Sequence, residues 1–357
     1  MTRPWKDVLI FISLCWRLSG IAPALADDGN PYRLSDPVTF RNLAIYFVHG
    51  ASRSGPVPLS LQEALATKVV TVRETGQLNE LKVENTGNEA VFIQSGDIVK
   101  GGQQDRVLSV SLLLPPHSGA IPIDSFCVES GRWSARVGED AKTFSSANAA
   151  VPSRIAKLEM AGALAPTPNR TTSPTTAYQQ EIWKSVAEVQ GKLTRSLGAP
   201  VAAAKSQSSL QLALENGRLA HEQAAYIEAL EPRGTEGDDI VGYVFAVNGK
   251  VNSADIYPSN GRFRKMWPKL LRASVTEAIG ERDDTTAPPP APPLADVDGF
   301  MKGRGEGQGG RDGDQGKDHD RRPRECQCDV AGDAPCRRRG GRLGASQLHC
   351  KVRARAD

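Results

Sequence analysis

The chain has 357 residues, 39% of them hydrophobic, and a formal net charge of +3. That length suits one or two domains, and that apolar share can build a core. The charge is unevenly placed: residues 303–357 hold 13 Lys/Arg and 9 Asp/Glu, a net +4, which leaves −1 for everything before them. A body so nearly neutral gives no support to a basic nucleic-acid face.

The chain opens "MTRPWKDVLIFISLCWRLSGIAPALADD". Arg3 and Lys6 precede the apolar run Val8–Trp16, and Ala24-Leu25-Ala26 precedes Asp27. This is the layout of a secretory signal peptide over residues 1–26, cleaved near Ala26. It predicts export to a periplasmic or extracellular space. The apolar run, interrupted by Arg17, is too short to span a bilayer, so no stable membrane anchor is expected. A buried first helix is the alternative.

Residues 27–140 read as β-rich. "LAIYFVHG" is the clearest strand. Ser60 and Glu63 have capping-box spacing, which predicts a short helix at 60–67. "KVVTVRET" and "LNELKVENTG" alternate and end in turn residues. "EAVFIQSGDIVKG", "RVLSVSLLLPP" and "GAIPIDSFCVESG" supply a third, fourth and fifth strand. Several short strands with Gly, Asn and Pro between them predict an antiparallel sandwich or barrel-like domain.

The texture then changes. Residues 141–280 read as a helical region with a β-hairpin packed on it, an α+β chain overall. "SRIAKLEMAG" is helical beyond Pro152, and "ALAPTPNRTTSPTT" is a loop. Thr176 and Gln179 have capping-box spacing, followed by Ile182, Val186, Val189 and Leu193 at helical period. A further helix is expected over Ser208–Leu230, with Leu212, Leu219, Ala220 and Ile227 as its apolar face. Asn248-Gly249 marks a tight hairpin. "FRKMWPKLLRASVTEAI" is the last helix. Residues 281–302 form a Pro-rich linker.

From Gly303 onward there is no Ile, Phe, Tyr or Trp. The segment reads as a disordered tail, and its composition resembles coding sequence read out of frame. "RLGASQLHCK", back-translated and advanced one base, becomes GWVHRSYIAK. Lys302–Asp320 in the same shifted frame becomes RAGEKAKAEETETKAKTMT, a helix-forming composition. A chain ended after Lys302 should therefore melt at the temperature of the full chain. A clearly lower midpoint would show that the tail contributes to the fold.

Of the six cysteines, Cys127 alone lies between the leader and the tail, so the body is no disulfide scaffold. His49, His117 and His221 share no metal-ligand spacing. Between the leader and the tail there is no GxSxG elbow, Walker loop or GxGxxG pattern, and no cofactor is expected. Arg262, Arg264 and Lys265 beside Trp267 read as an anion site or as a solvated helix face.

Two polar stretches interrupt the strands, "SGDIVKGGQQDRVL" and "FCVESGRW". Asp97, Asp105 and Glu129 bring carboxylates. Arg106 and Arg132 bring guanidinium forks suited to phosphate or carboxylate. Trp133 can stack on a base or sugar. Cys127 is a nucleophile if its pKa is lowered, or a small buried hydrophobe. The structural alternative makes the arginines and carboxylates ion pairs that close one end of the β domain, and Trp133 a core residue.

These stretches, with "LLPPHSGAIPI", resemble the ARG-and-rhodanese-phosphatase-superfamily-associated protein domain family. That family has a Gly-Asp/Glu turn, then Gly-x-x-Gln-Asn/Asp-Arg, then Cys-x-Glu-x-Gly-Arg-Trp. Those positions fall on Gly96, Asp97, Gly101, Gln104, Asp105, Arg106, Cys127, Glu129, Gly131, Arg132 and Trp133. The resemblance covers about residues 35–280. It also includes a terminal Gly-Trp-Val-His-Arg-Ser-Tyr, which this chain lacks in its given frame. It implies a link to ADP-ribose-handling genes and specifies no reaction. Three readings stand open. One is a module binding a small phosphate-containing ligand or a protein through Asp105, Arg106, Glu129 and Arg132. The second is a hydrolase or transferase on an ADP-ribose-like compound with Glu129 or Asp105 as general base. The third is a purely structural domain.

Overall fold

The computed structural model describes residues 31–164 and 174–303, with short paired segments at 337–338 and 341–342. The leader and nearly all of the 303–357 tail lie outside these residues, as does most of the expected 163–176 loop. In chain order the elements are β1 (Tyr32–Leu34), β2 (Val38–Phe40), β3 (Leu43–Gly50), β4 (Leu59–Ser60), α1 (Leu61–Ala66), β5 (Val70–Glu74) and β6 (Glu80–Asn85). Next are β7 (Val91–Ile93), β8 (Asp97–Gly101), β9 (Arg106–Leu108), β10 (Leu112–Leu114), β11 (Gly119–Cys127) and β12 (Phe144–Ala150). Then come α2 (Arg154–Leu164), α3 (Pro174–Leu197), α4 (Leu210–Leu214), α5 (Gly217–Leu230), β13 (Ile240–Val247), β14 (Lys250–Ile256), α6 (Asn260–Gly280) and α7 (Leu294–Met301). The chain is α+β, with antiparallel pairing throughout except for the short β4–β7 pair.

The first sheet runs β12-β8-β9-β11-β6-β5. Its edges meet where Arg73 of β5 bridges Thr143 beside β12, so the sheet closes on itself. Alternation sends Val72, Leu81, Val83, Val99, Leu108 and Ile123 to the interior. Ile98, Val107, Phe126 and Val128 face the other way, onto α2 and α3. Both faces are buried, which is why β8 and β9 read as unbroken apolar pairs.

A small sheet, β10-β7-β4, lies beside it. "EAVFIQSGDIVKG" is thus two strands in two sheets, not one. The chain turns at Gln94–Asp97, where the Asp97 N–H donates to the Gln94 carbonyl at 3.0 Å and Gly96 has φ 94°. "RVLSVSLLLPP" divides in the same way into β9 and β10.

The second sheet is β1-β3-β13-β14, with β2 on the same edge of β3 as β1. The hairpin turns on Asn248 (φ 49°) and Gly249 (φ 73°), both left-handed as a tight hairpin needs. One face packs Ile45, Phe47, Tyr243 and Phe245 against Trp267, Phe263 and Leu271 of α6 and Tyr226 of α5. The other packs Ala44, Tyr46, Val48 and Val244 against Val297 of α7. Residues 43–50 and 240–256, which fall on opposite sides of residue 140, therefore share one sheet. The expected linker 281–302 includes α7, and the Tyr46 hydroxyl donates to the Pro292 carbonyl.

The α1 capping box forms as its sequence predicts: Ser60 Oγ accepts from the Glu63 N–H, and Glu63 accepts from the Ser60 N–H at 2.7 Å. Two other helix expectations are corrected. The helix over Ser208–Leu230 breaks at Asn216, whose side chain accepts from Arg218 and Leu219 and starts α5 afresh. This shifts the buried face to Leu219, Gln223, Tyr226 and Leu230, leaving Ala220 exposed. Helix α3 begins at Pro174, and Gln179 does not cap it: its side chain pairs with Cys127 instead. The Thr176 side chain lies outside the described residues. Strand β12, FSSANAA, has no β-branched residue and only one large apolar side chain, so its sequence does not mark it as a strand. No described helix is long and apolar enough to cross a membrane.

Candidate functional site

The two motifs meet because their strands are neighbours. Arg106 of β9 pairs in register with Cys127 of β11. The Val128 N–H extends the ladder to the Asp105 carbonyl at 3.1 Å. Between β8 and β9 the chain reverses at Gly101 (φ 123°) and Gly102 (φ 57°). A Cβ on Gly101 would stand 2.7 Å from the Thr143 carbonyl, and one on Gly102 would stand 2.3 Å from the Phe144 ring. Only glycines fit this turn, and it aims Asp105 inward, where Oδ1 accepts from the Gly101 N–H at 3.0 Å.

The acidic residues are buried and fully engaged. Arg136 donates to both oxygens of Asp105, at 2.7 and 2.8 Å, and to Glu129 at 3.3 Å. Its Nε meets Glu139. Ser209, the N-cap of α4, donates to Asp105 at 3.0 Å. Arg132 grips Glu129 with a second fork, at 2.7 and 2.6 Å. Burial pushes the Glu129 carboxyl up, but the hydrogen bonds of Arg132 and Ser206 and the charges of Arg132 and Arg136 outweigh it and hold the group below its ordinary value. Burial lowers the Arg136 pKa, and the Asp105 and Glu139 carboxylates more than reverse that. Helix α3 seals the back of the site: Gln179 bonds both the N–H and the carbonyl of Cys127, and Trp183 Nε1 donates to the Glu129 carbonyl at 3.0 Å.

Arg106 is different. It is wholly buried, and only Nη1 has an acceptor, the Gln104 carbonyl at 3.0 Å. Its Nε and Nη2 have no hydrogen-bond partner, nor do Glu74 Oε2 and Gln104 Oε1. Glu74 Oε2 stands 3.5 Å from Arg106 Nη2. The Trp133 ring covers the guanidinium, its centroid 5.3 Å from Cζ, and is 48% exposed. The structure thus places Trp133 on the surface, not in the core.

Cys127 is fully buried. Burial raises its thiol pKa to about 11, against the lowering by Arg106 and with added repulsion from Glu74 and Glu129. Its thiolate fraction near pH 8 is then about one in a thousand. With the tail cysteines Cys326, Cys328, Cys336 and Cys350 replaced, a thiol reagent should label the native protein only at the rate of unfolding. Rapid labelling would contradict this.

Other expected residues lie apart or are engaged elsewhere. Asp97 pairs with Lys269 at 2.6 Å. Arg262 is buried over Phe92, Arg264 meets Asp238, and Lys265 meets Glu63, while Trp267 is core. Those cations therefore form no common anion site. His49 bonds Asp239 and His117 bonds Asn88. Arg136, Glu74, Ser209 and Lys269 were not singled out from the sequence. Arg136 stood only four residues beyond Arg132, in "GRWSARVGED", and its carboxylate-rich surroundings were the available signal. Glu74 had none.

Comparison with curated proteins and with solved structures returned no match. A model of the ARG and Rhodanese-Phosphatase-superfamily-associated Protein domain, ARPP-1, matches residues 31–335, beyond the point where the tail composition begins. That match spans most of the chain and includes both strand-end motifs and the arginines that bind their carboxylates, so the protein belongs to the ARPP-1 family.

Proposed function

We propose that this protein is a binding module for a nucleotide-like small molecule of the ADP-ribose class, exported after removal of its leader. The observation that carries the reading is Arg106, a buried guanidinium beneath a half-exposed Trp133, with two donor nitrogens that make no hydrogen bond and one of them 3.5 Å from Glu74. Buried polar groups are ordinarily satisfied, and an arginine left open beside an aromatic ring is an arrangement suited to a ligand. The Asp105–Arg136–Glu129–Arg132 network is the scaffold that holds the Trp133 loop in place, because Arg132 and Arg136 bracket Trp133 and both are anchored.

The enzyme reading is less favoured. Both oxygens of Asp105 and of Glu129 accept bonds from arginine, and Glu129 is held ionised by its partners, which makes it a weak base. The test is thermal unfolding of the full chain with ADP-ribose and NAD. A ligand that binds only the native state stabilises it by about 2.7 kcal/mol at a hundred times its Kd. The expected result is a raised midpoint with the compound recovered unchanged. Turnover that disappears in Glu129→Gln would favour the enzyme instead. Export is tested by fractionation and by the N-terminal sequence of the mature chain, expected to start near Asp27.

A further inference from the structure

The Arg106–Glu74 pair also indicates which part of such a compound is held, an inference that rests on the binding reading above. Arg106 Nη1 is taken by the Gln104 carbonyl, and Glu74 Oε1 accepts from the Gln103 N–H at 2.9 Å. Arg106 Nε and Nη2 and Glu74 Oε2 make no hydrogen bond, and Nη2 and Oε2 form a loose ion pair 3.5 Å apart. That separation is longer than a charge-assisted hydrogen bond. A donor edge and an acceptor thus stand side by side, with opposite charges that cancel.

This arrangement discriminates by charge. A phosphate drawn to Arg106 meets the Glu74 carboxylate at nearly the same distance, so repulsion offsets attraction. A neutral planar group with an acceptor beside a donor satisfies both residues without adding charge. The Hoogsteen edge of adenine, a ring nitrogen next to an exocyclic amine, has this pattern, as does a carboxamide. Such groups are carried on flat heterocycles, and Trp133 supplies an aromatic face on which one can stack. The loop backbone is pinned on both sides, by Arg132 on Glu129 and by Arg136 on Asp105. Arg106 is wholly buried under the half-exposed Trp133 ring, so admitting a heterocycle requires that side chain to turn aside.

We infer that Arg106 and Glu74 read the donor–acceptor edge of a neutral heterocycle stacked on Trp133, and that the phosphates of the bound compound contribute little. The full chain is titrated by tryptophan fluorescence and calorimetry with ADP-ribose, adenosine, nicotinamide, ribose 5-phosphate and pyrophosphate. Adenosine or nicotinamide should bind within about tenfold of ADP-ribose, and ribose 5-phosphate and pyrophosphate should not bind measurably. Trp133→Ala should weaken binding by about tenfold or more, from loss of the stack, with the melting midpoint nearly unchanged. Glu74→Gln should narrow the preference against pyrophosphate, because it removes the repulsive charge. If that variant does not fold, the Trp133→Ala comparison carries the test alone. Binding of ADP-ribose matched by ribose 5-phosphate, with no binding of adenosine or nicotinamide, would overturn this inference and leave the binding module standing. No binding by any of the five would overturn both.

Discussion

Replacing Arg136 with alanine should lower the unfolding free energy by about 3–5 kcal/mol, the cost of leaving a buried charge without its partner. The side chain is buried, and it serves Asp105, Glu129 and Glu139 at once. Without it Asp105 keeps only the Ser209 hydroxyl and the Gly101 N–H. Arg132→Ala should cost less, about 1.5–3 kcal/mol, the worth of hydrogen bonds to a charged group. Arg132 is 12% exposed, and Glu129 would retain Arg136 at 3.3 Å. The effect of Arg132→Ala should also depend on pH, because Arg132 does most to lower the Glu129 carboxyl. The Glu129 carboxyl has a folded pKa below its unfolded value. Its stabilising contribution is complete above the unfolded value, about 4.3, and is lost as pH falls through the folded one. A protonated carboxyl no longer needs the arginine. The gap between wild type and Arg132→Ala, measured by urea unfolding, should be full at neutral pH and shrink in acid. A gap that is small at neutral pH, or constant with pH, would show that the network does not hold the site.

Lys269→Met should cost a comparable amount, about 3–5 kcal/mol. Lys269 lies on α6, the helix that covers the second sheet, and its Nζ meets Asp97 Oδ1 at 2.6 Å with side chains 5% and 2% exposed. The ammonium also donates to Ser146 of β12. The pair therefore joins α6 to the closed sheet at the start of β8. Methionine keeps most of the lysine's length and apolar contact, so the loss reports the charge and not a cavity. Asp97 would be left buried with one bond, from the Gln94 N–H at 3.0 Å. The Asp97→Leu/Lys269→Met double variant should be more stable than Lys269→Met alone, since removing both charges of a buried pair costs less than stranding one. A loss below about 1 kcal/mol for Lys269→Met, the size of an exposed ion pair, would mean that water reaches Asp97.

What the sequence determined by itself was set by residues within a few positions of one another. The Ser60–Glu63 box starts α1 because a cap reaches only its own first turn. Asn248-Gly249 makes the β13–β14 turn because both residues accept positive φ. Period-four apolar residues place Ile182, Val186 and Leu193 in the core. The meeting of the two motifs was also legible, because they end successive strand-like segments and such strands tend to pair. Tertiary structure decided the rest. Asp105 and Arg136 are 31 positions apart, and nothing local chooses Arg136 over Arg106 for that carboxylate. The choice follows from the loop after β11, which folds back across the end of the sheet. Glu74 reaches Arg106 because the sheet closes, bringing the end of β5 round to the β8–β9 turn, where Gln103 holds its other oxygen. Trp133, core-like by composition, stays half in solvent because the buried space beneath it is filled by Arg106. Caps, turns and amphipathic period are short-range energies that a sequence displays. Which charge meets which depends on strand register and chain closure, which come into being only when the whole chain has packed.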